Sequence, residues 1–519
     1  MAKKAFKWIG IALLAFVLAS VLSLYAYGRF AERARGPVVE ALPLAPAATP
    51  IDRAVAPLTA ARPGQTGMVI LGDNLDAFAV RAMTARSAGR SLDLQYYIWH
   101  DDFTGNMLHH EVLRAADRGV RVRLLLDDMN VHGSHSVLAA LDSHPRVEVR
   151  LFNPTRAREG TVMRGIELLL RFFSLNRRMH NKIWLADGRV AVVGGRNVGD
   201  EYFDAAADVN FMDTDVVIVG QAASEAEAVF DAYWNSASAI PLEALAQAEA
   251  GALERVRESL DAGLLSTRAG PYLERLGSSE QVRELLQGKR RAYWTDRATL
   301  ASDPPEKAEG ATPEPDWMTP LLVSRMDASR RELKVISPYF VPGEAGVAWF
   351  EGMRRRGVEV GILTNSLAAN DVLAVHGGYA GYRAPLLRAG VELYELKPHG
   401  AVGASLFGSS GASLHTKAYV ADGRHGFIGS FNLDPRSMNL NTEMGLLFEH
   451  PGAAAELEAL YATKTSASTS YRLALDDGAL RWHDDAAQPP VTWEREPEAG
   501  AWQRAAARVI GWLPVESQL

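Results

Sequence analysis

Two segments of the sequence carry histidine, lysine and aspartate at the same spacing. In each, the lysine follows the histidine by two positions and the aspartate follows the lysine by five. These residues are His180, Lys182 and Asp187 in the first copy and His415, Lys417 and Asp422 in the second. An imidazole can attack phosphorus or carry a proton, and an ammonium group can neutralise phosphate oxygens. Two such pairs facing each other would suit the transfer of a phosphodiester with no metal or cofactor.

Each copy continues into a glycine-rich segment that ends in asparagine. Asn197 follows His180 by 17 residues, and Asn432 follows His415 by the same number. One histidine, lysine and aspartate match is a modest signal, whereas a repeated match with the same continuation is a strong one. Asn197, Asn432 and Ser430 are candidates to hydrogen-bond the phosphate or the lysines.

Local patterns indicate how these residues are held. Because side chains alternate across a strand, histidine and lysine two residues apart should project to the same face. Asp187 and Asp422 each precede a glycine, so both a turn role and a functional role are open, and we read them as supporting structure. Each histidine needs a partner that fixes its tautomer, for which Glu443 and Asp215 are the candidates.

The chain is an internal duplication. Each half contains a strand, a helix, the tripeptide Arg-Gly-Val and a second strand. The strands are residues 92–99 and 120–127 in the first half and 333–341 and 358–365 in the second. Alternating strands and helices predict an α/β fold of two pseudo-symmetric halves, each a mainly parallel mixed sheet flanked by helices.

The composition of the chain and the positions of its proline and glycine residues suggest six segments. They are a membrane anchor at 1–35 with its span at about 8–27, a Pro/Ala-rich tether at 36–66, a first half at 67–235, a helical connector and loop at 236–316, a second half at 317–470, and a tail at 471–519. Within the connector, residues 301–315 read as an exposed loop. The tail could be packed or membrane-facing.

The overall composition narrows the class of protein. Hydrophobic residues make up 48% of the 519 residues, which is enough for a sizeable core. The chain has no cysteine, which excludes disulfides, thiolate catalysis and cysteine-ligated metal sites. The formal net charge of −7 gives no general attraction to nucleic acid.

The N-terminus carries an uncharged apolar run over residues 8–27. Twenty helical residues span about 30 Å, the thickness of a bilayer core. The alternative is a cleaved signal peptide, which the length of the run and an imperfect cleavage site disfavour. The basic residues on the two sides of the run balance, so the sequence leaves its orientation open.

The two motif blocks, HNKIWLADGRVAVVGGRNVGDEYF and HTKAYVADGRHGFIGSFNLDPRSMNLNTEMG, closely resemble the phospholipase D superfamily. The resemblance runs from about residue 66 to the C-terminus and is greatest to the C-type branch of the bacterial cardiolipin synthases. It implies that His180 is the nucleophile and His415 the general acid and base, and that Lys182 and Lys417 hold phosphate. It further implies that Glu443 orients a histidine, with Asp215 as the less well matched counterpart.

The resemblance also implies an activity and a location. A phosphatidyl group from phosphatidylglycerol or phosphatidylethanolamine would be transferred to phosphatidylglycerol at the bacterial inner membrane, on a side left open. The apolar segment 166–175, flanked by arginines, could admit acyl chains and anionic headgroups, or could be a helix buried against the sheet. The alternatives are hydrolysis to phosphatidic acid, a nuclease of the same superfamily and a non-catalytic membrane scaffold. No nucleic-acid partner is expected.

Overall fold

A computed structural model of the chain shows two halves that follow one another in sequence and pack face to face. The described residues are 2–131, 134–158, 161–280, 283–284, 289–399, 411–513 and 516–519.

Helices and strands alternate through the first half and the segment that follows it. The helices are α1 (Ala2–Ala34), α2 (Pro50–Ala60), α3 (Asn74–Ser87), α4 (Phe103–Asp117), α5 (His135–Asp142), α6 (Thr161–Leu170), α7 (Phe172–Leu175), α8 (Gln221–Trp234), α9 (Ala252–Leu264) and α10 (Ala269–Ser278). The strands are β1 (Thr66–Leu71), β2 (Ser91–Tyr96), β3 (Arg121–Asp127), β4 (Val147–Phe152), β5 (Ile183–Ala186), β6 (Val190–Gly194), β7 (Val209–Met212), β8 (Asp215–Gly220), β9 (Ala239–Pro241) and β10 (Tyr293–Thr295). The first sheet has the order β10-β1-β8-β6-β5-β2-β3-β4-β9.

The second half repeats this arrangement. Its helices are α11 (Glu306–Glu309), α12 (Met318–Asp327), α13 (Gly343–Arg355), α14 (Leu373–Ala380), α15 (Arg383–Arg388), α16 (Pro435–Asn439), α17 (Pro451–Lys464) and α18 (Ala501–Ile510). Its strands are β11 (Ala298–Ser302), β12 (Glu332–Ile336), β13 (Glu359–Asn365), β14 (Glu392–Leu396), β15 (Gly411–Leu414), β16 (Lys417–Ala421), β17 (His425–Gly429), β18 (Met444–Glu449), β19 (Ser470–Asp476), β20 (Ala479–Asp484) and β21 (Val491–Trp493). The second sheet has the order β11-β18-β17-β16-β12-β13-β14-β19-β20-β21.

The two sheets share one topology. The order β1-β8-β6-β5-β2-β3-β4 of the first corresponds strand for strand to β11-β18-β17-β16-β12-β13-β14 of the second. The predicted α/β fold of two related halves is therefore confirmed. The expectation that the sheets are mainly parallel is wrong, because parallel pairing within them is confined to β2-β3-β4 and β12-β13-β14. Helices α4 and α5 connect β2 to β3 and β3 to β4, whereas hairpins join β5 to β6 and β16 to β17.

Three predicted segments contain structure that the sequence did not indicate. The segment 36–66 contains α2, which starts at a Thr49–Asp52 capping box with proline at its first position, and Ile51 and Val55 are buried. The connector supplies both edge strands of the first sheet, β9 and β10, and the edge strand β11 of the second. The segment 301–315 is not an exposed loop throughout, because Asp303 and Lys307 are buried as an ion pair at 2.8 Å.

The tail packs onto the second half. Strands β19, β20 and β21 extend its sheet, and α18 lies against α14. At the other end of the chain, Lys4–Ala34 of α1 is long enough to cross a membrane. Its most apolar 18 residues have a mean hydropathy of 2.4 and are not buried by the rest of the chain. Between the halves, one apolar cluster contains residues of both sheets, among them Ile183, Val193, Ile428 and Met444.

Candidate active site

The two histidines lie where the halves meet, each in an extended segment that leads into a central strand. His180 comes just before β5, and His415 comes just before β16. The backbone of each segment bonds to the other half. The His180 N–H donates to the Thr442 carbonyl and the His415 N–H donates to the Met212 carbonyl, both at 2.9 Å. In addition, β15 pairs in parallel with β7, so the site is built from both halves.

His180 is held by Glu443 of the second half. Its Nδ1 lies 2.8 Å from Oε2 and 3.0 Å from Oε1 of that carboxylate. The hydroxyls of Ser430 and Ser437 also donate to Glu443, the latter at 2.8 Å. Burial raises the pKa of Glu443 to about 7. Burial, helped by the positive charges of Lys182 and Lys417, holds the pKa of His180 well below its usual range.

His415 is held by Asp213 of the first half. Its Nδ1 lies 2.6 Å from Asp213 Oδ2. Burial lowers the pKa of His415, assisted by Lys417 and opposed by Asp213. Burial alone would raise the pKa of Asp213, but His415 and Lys417 outweigh it and lower that pKa, so the carboxylate is ionised. With both Nδ1 atoms engaged, Nε2 is the nitrogen of each ring that remains for chemistry.

Asp215, the residue predicted to orient a histidine in the first half, has another role. It begins β8, where its carboxylate accepts from Arg81 at 2.9 Å and lies 3.3 Å from Arg196. All three side chains are buried. Asp215 therefore neutralises two buried arginines, and the prediction placed the orienting carboxylate two residues too late.

The two lysines are arranged alike. Each Nζ donates to the carbonyl of the histidine in its own motif at 2.6 Å, and both side chains are buried. Lys182 Nζ lies 5.5 Å from the ring centroid of Tyr97, and Lys417 Nζ lies 5.8 Å from that of Tyr339. Burial lowers the pKa of Lys182 well below its usual range and that of Lys417 to about 8. An anion between the lysines would restore their charge.

Aromatic rings pack against both imidazoles. Tyr97 meets His180 edge-on at 4.9 Å between centroids, and Tyr202 meets His415 edge-on at 5.2 Å. Asn197 donates from Nδ2 to the Tyr202 hydroxyl at 2.9 Å. Asn197 was predicted to bond phosphate or lysine; in the structure it supports the ring that packs on His415.

The other two predicted polar residues differ in what they bond. Ser430 donates to Glu443, so it bonds a histidine-orienting acid instead of a lysine. Asn432 uses its backbone N–H to bond the Ser437 hydroxyl. Its side-chain Oδ1 is buried and accepts no hydrogen bond from the residues that the structure describes. A ligand hydroxyl or amine can fill that position.

The comparisons with known proteins agree with this geometry. The family model described as "Cardiolipin synthase, PLD-like domain" matches residues 83–234 and 322–463, one segment in each half. The chain belongs to this family. It is therefore an enzyme of the phospholipase D superfamily, as the resemblance implied.

Two relatives and one solved structure show the extent of the similarity. The chain is 42% identical to cardiolipin synthase C of Escherichia coli over 469 residues, which is 89% of this chain and 98% of the relative. It is 31% identical to an uncharacterized protein of Helicobacter pylori over 87% of each chain. The phosphatidylserine synthase of Haemophilus influenzae superimposes with a TM-score of 0.53 over 85% of this chain and 92% of that one, at 12% identity, which supports the fold alone.

The motif aspartates lie at the far ends of the hairpins from the histidines. Asp187 and Asp422 have φ of 55° and are each followed by a positive-φ glycine, as in a type I′ turn. Asp187 accepts from the backbone N–H groups of residues 89, 90 and 91, and Asp422 accepts from those of residues 330, 331 and 332. Although grouped with the catalytic motif, they tie each hairpin to the strand beside it.

Several residues around the site carried no clear signal in the sequence. Asp213 lies in the same tripeptide as Asp215. In the second half, Glu443 follows His415 by 28 residues, and Asp213, which follows His180 by 33, is nearer to that spacing than Asp215 is. Tyr97 and Tyr339 each lie two residues before the end of the corresponding predicted strand, so the duplication could have paired them. The sequence does not indicate a role for Ser437, because its bond to Glu443 depends on how α16 packs.

One group of possible metal ligands occurs in the part of the chain that the structure describes. It consists of His100, Asp102 and Glu201, all partly exposed. Asp102 already caps α4 by accepting from Gly105 at 2.9 Å and also accepts from the Asp200 N–H at 2.7 Å. The cluster is thus accounted for by helix capping and loop contacts.

Proposed function

We propose that this protein is a phosphatidyltransferase that makes cardiolipin from phosphatidylglycerol and a second phospholipid. The proposal rests on one observation: each half supplies the carboxylate that holds the histidine of the other half. Two Nε2 atoms and two lysines are therefore left for chemistry in one buried site. Such a site suits a phosphodiester, and the 42% identical relative is named cardiolipin synthase C. The apolar helix α1 would hold the enzyme in the bacterial inner membrane.

In the first step, Nε2 of His180 attacks the phosphorus of the donor lipid. The bond from phosphorus to the headgroup alkoxide breaks, and His415 gives its proton to that oxygen, so glycerol or ethanolamine leaves. His180 suits attack because its pKa lies well below its usual range, which keeps the ring neutral with Nδ1–H turned to Glu443. His415 must enter this step as its imidazolium form, which ionised Asp213 stabilises against the opposing effects of burial and Lys417.

In the second step, a glycerol hydroxyl of phosphatidylglycerol attacks the phosphorus of phosphatidyl-His180. His415 accepts the hydroxyl proton, the nitrogen–phosphorus bond breaks, and His180 returns to its neutral form. Lys182 and Lys417 neutralise the non-bridging oxygens throughout. If water replaces the lipid hydroxyl, the product is phosphatidic acid.

A lipid-product assay tests the proposal. Purified protein in detergent is incubated with phosphatidylglycerol, with and without phosphatidylethanolamine, and the lipids are resolved. We expect cardiolipin together with one equivalent of glycerol or ethanolamine. Phosphatidic acid as the sole product would replace transfer by hydrolysis, and cleavage of DNA without lipid turnover would indicate a nuclease.

A further inference from the structure

The C-terminal helix α18 has an apolar face that the rest of the chain does not cover. Trp502 and Trp512 are 77% and 76% exposed, and Val509 and Leu513 are also exposed. At 100° per residue Trp502 and Val509 fall on one side of the helix, and Trp512 and Leu513 follow in the turn after its last residue, Ile510. The opposite side carries Ala507, which is buried and whose carbonyl lies so close to Gly377 of α14 that a Cβ there would clash.

Helices α6 and α7 show a second exposed apolar surface. Val162, Met163, Ile166 and Leu169 of α6 are all exposed, and Phe173 of α7 is 84% exposed. The segment 166–175 is therefore not a helix buried against the sheet, which was one of its two interpretations. Arg171 and Leu175 are exceptions, since their side chains are buried.

The two apolar surfaces adjoin. At the end of α7, Asn176 donates from Nδ2 to Gln518 Oε1 at 2.7 Å. Phe173 is three residues from Asn176 and Leu513 is five residues from Gln518, so extended chain places them within about 11 Å and 18 Å of that bond. Arg436 of α16 fixes the junction by donating to the Asn176 carbonyl at 2.8 Å and, through its backbone N–H, to Leu519 at 2.6 Å.

The same surface adjoins the N-terminal apolar helix. The Arg171 guanidinium lies 3.3 Å from the ring centroid of Tyr27, and that of Arg156 lies 4.8 Å from the centroid of Phe30. Tyr27 ends the uncharged run of α1, where aromatic side chains meet the headgroup region. Helix α6 therefore lies beside the end of α1 that would meet the headgroup region.

We propose that α6, α7 and α18 form one docking surface, which inserts its apolar side chains into the surface of an anionic phospholipid bilayer. Continuity with α1 argues for a bilayer as the occupant. Charge also argues for an anionic bilayer, because Arg508 is exposed beside Val509 and Arg177 is partly exposed beyond α7. Exposed tryptophan and phenylalanine with arginine at the border are the side chains that interfacial helices present to lipid.

The docking surface lies next to the candidate active site. Helix α16 joins them, because Arg436 bonds the α7 junction while the neighbouring Ser437 donates to Glu443 at 2.8 Å. Glu443 in turn holds His180. A lipid headgroup therefore reaches His180 from a bilayer on which the docking surface rests.

Site-specific labelling tests the docking surface, and the absence of cysteine makes each label unique. Full-length Trp512→Cys and Phe173→Cys variants carrying an environment-sensitive fluorophore are reconstituted in vesicles of phosphatidylglycerol and phosphatidylethanolamine. Leu265→Cys is the control, since Leu265 is 88% exposed but follows α9, which packs on α4 and α5. We expect nitroxide-labelled lipid to quench the labels at 512 and 173 and to leave the one at 265 unchanged.

No quenching at 512 and 173 would overturn the proposal. A shift in emission that depends on protein density but not on nitroxide lipid would also overturn it, in favour of a second copy of the chain on this surface. The quenching does not depend on turnover, so it is distinguishable from a failure of the proposed transferase activity.

Removal of the two tryptophans gives a second measurement. In Trp502→Ala/Trp512→Ala, we expect turnover of phosphatidylglycerol in vesicles to fall by about tenfold, because two large apolar contacts with lipid are lost. Turnover of a short-chain phosphatidylglycerol below its micellar concentration should be unchanged, since that substrate needs no bilayer. Equal losses on both substrates would contradict the docking role.

Discussion

The Nδ1 atom of His180 lies 2.8 Å from the Oε2 atom of Glu443, so the histidine of one half is oriented by a carboxylate of the other. His415 and Asp213 repeat this relationship in the opposite direction at 2.6 Å. Each half thus contains a histidine and a carboxylate but not a complete pair. Because each pair forms only across the interface, association of the halves and assembly of the site are one event.

Replacement of Glu443 by glutamine should reduce turnover while preserving the fold. The glutamine oxygen can still accept from Nδ1 and from one of the two serine hydroxyls, but the side chain carries no charge to stabilise a phosphohistidine cation. We expect kcat to fall by about 10²- to 10⁴-fold with little change in KM. Steady-state kinetics measure kcat and KM, and a thermal unfolding curve shows whether the fold is preserved. A near-normal kcat would contradict the role of Glu443 as the acid that orients His180.

Asp213→Asn should affect turnover and Asp215→Asn should affect stability, although the two residues lie only two positions apart. Asp213→Asn removes the charge beside His415 and should lower kcat with a small change in stability. Asp215→Asn leaves Arg81 and Arg196 without their buried counter-ion and should lower the free energy of unfolding by about 3–5 kcal/mol. Chemical denaturation and turnover measurements on both variants test this. A loss of turnover in Asp215→Asn and a loss of stability in Asp213→Asn would instead make Asp215 the orienting acid.

The sequence predicted the two histidine–lysine pairs and the duplication because these depend on repeated spacing, and it predicted Glu443 because the second motif block resembles that of the family. It did not distinguish Asp213 from Asp215, since both are buried and the choice depends on β7 pairing with β15 of the other half. The edge strands β10 and β11 were missed because three to five residues carry too little periodicity. Long-range pairing determines both outcomes, and local patterns do not encode it.

His415→Ala should allow the covalent intermediate to be trapped. A phosphatidyl ester of p-nitrophenol has a leaving group that needs no proton, so His180 can still attack it. We expect a burst of about one equivalent of p-nitrophenol and a phosphatidyl adduct on the peptide that contains His180. Mass spectrometry of quenched protein measures the adduct, with His180→Ala as the matched control that should give neither. An adduct on another residue would reassign the nucleophile.

The hairpin aspartates should matter for stability and not for chemistry. Asp422→Ala removes the acceptor of three backbone N–H groups and places alanine at φ of 55°, so we expect a loss of about 1–3 kcal/mol. Asp422→Asn keeps one acceptor oxygen and tolerates that φ, and it should lose less. Unfolding free energies and kcat of the folded variants are compared. A kcat loss of 10²-fold or more without destabilisation would make Asp422 catalytic.

Formation of the adduct with the p-nitrophenyl ester should decline as the pH rises through neutral to weakly alkaline values. Burial lowers the pKa of Lys417 to about 8 and that of Lys182 well below its usual 10.5. A lysine is charged below its pKa, so its attraction for the phosphodiester is lost as the pH rises through that value. This ester does not need the His415 proton, so the lysines determine the alkaline limb of kcat/KM, which we expect at or below about pH 8. Stopped-flow burst rates from pH 5 to 10 measure it, and a limb near the ordinary lysine value would show that the free site does not depress these pKa values.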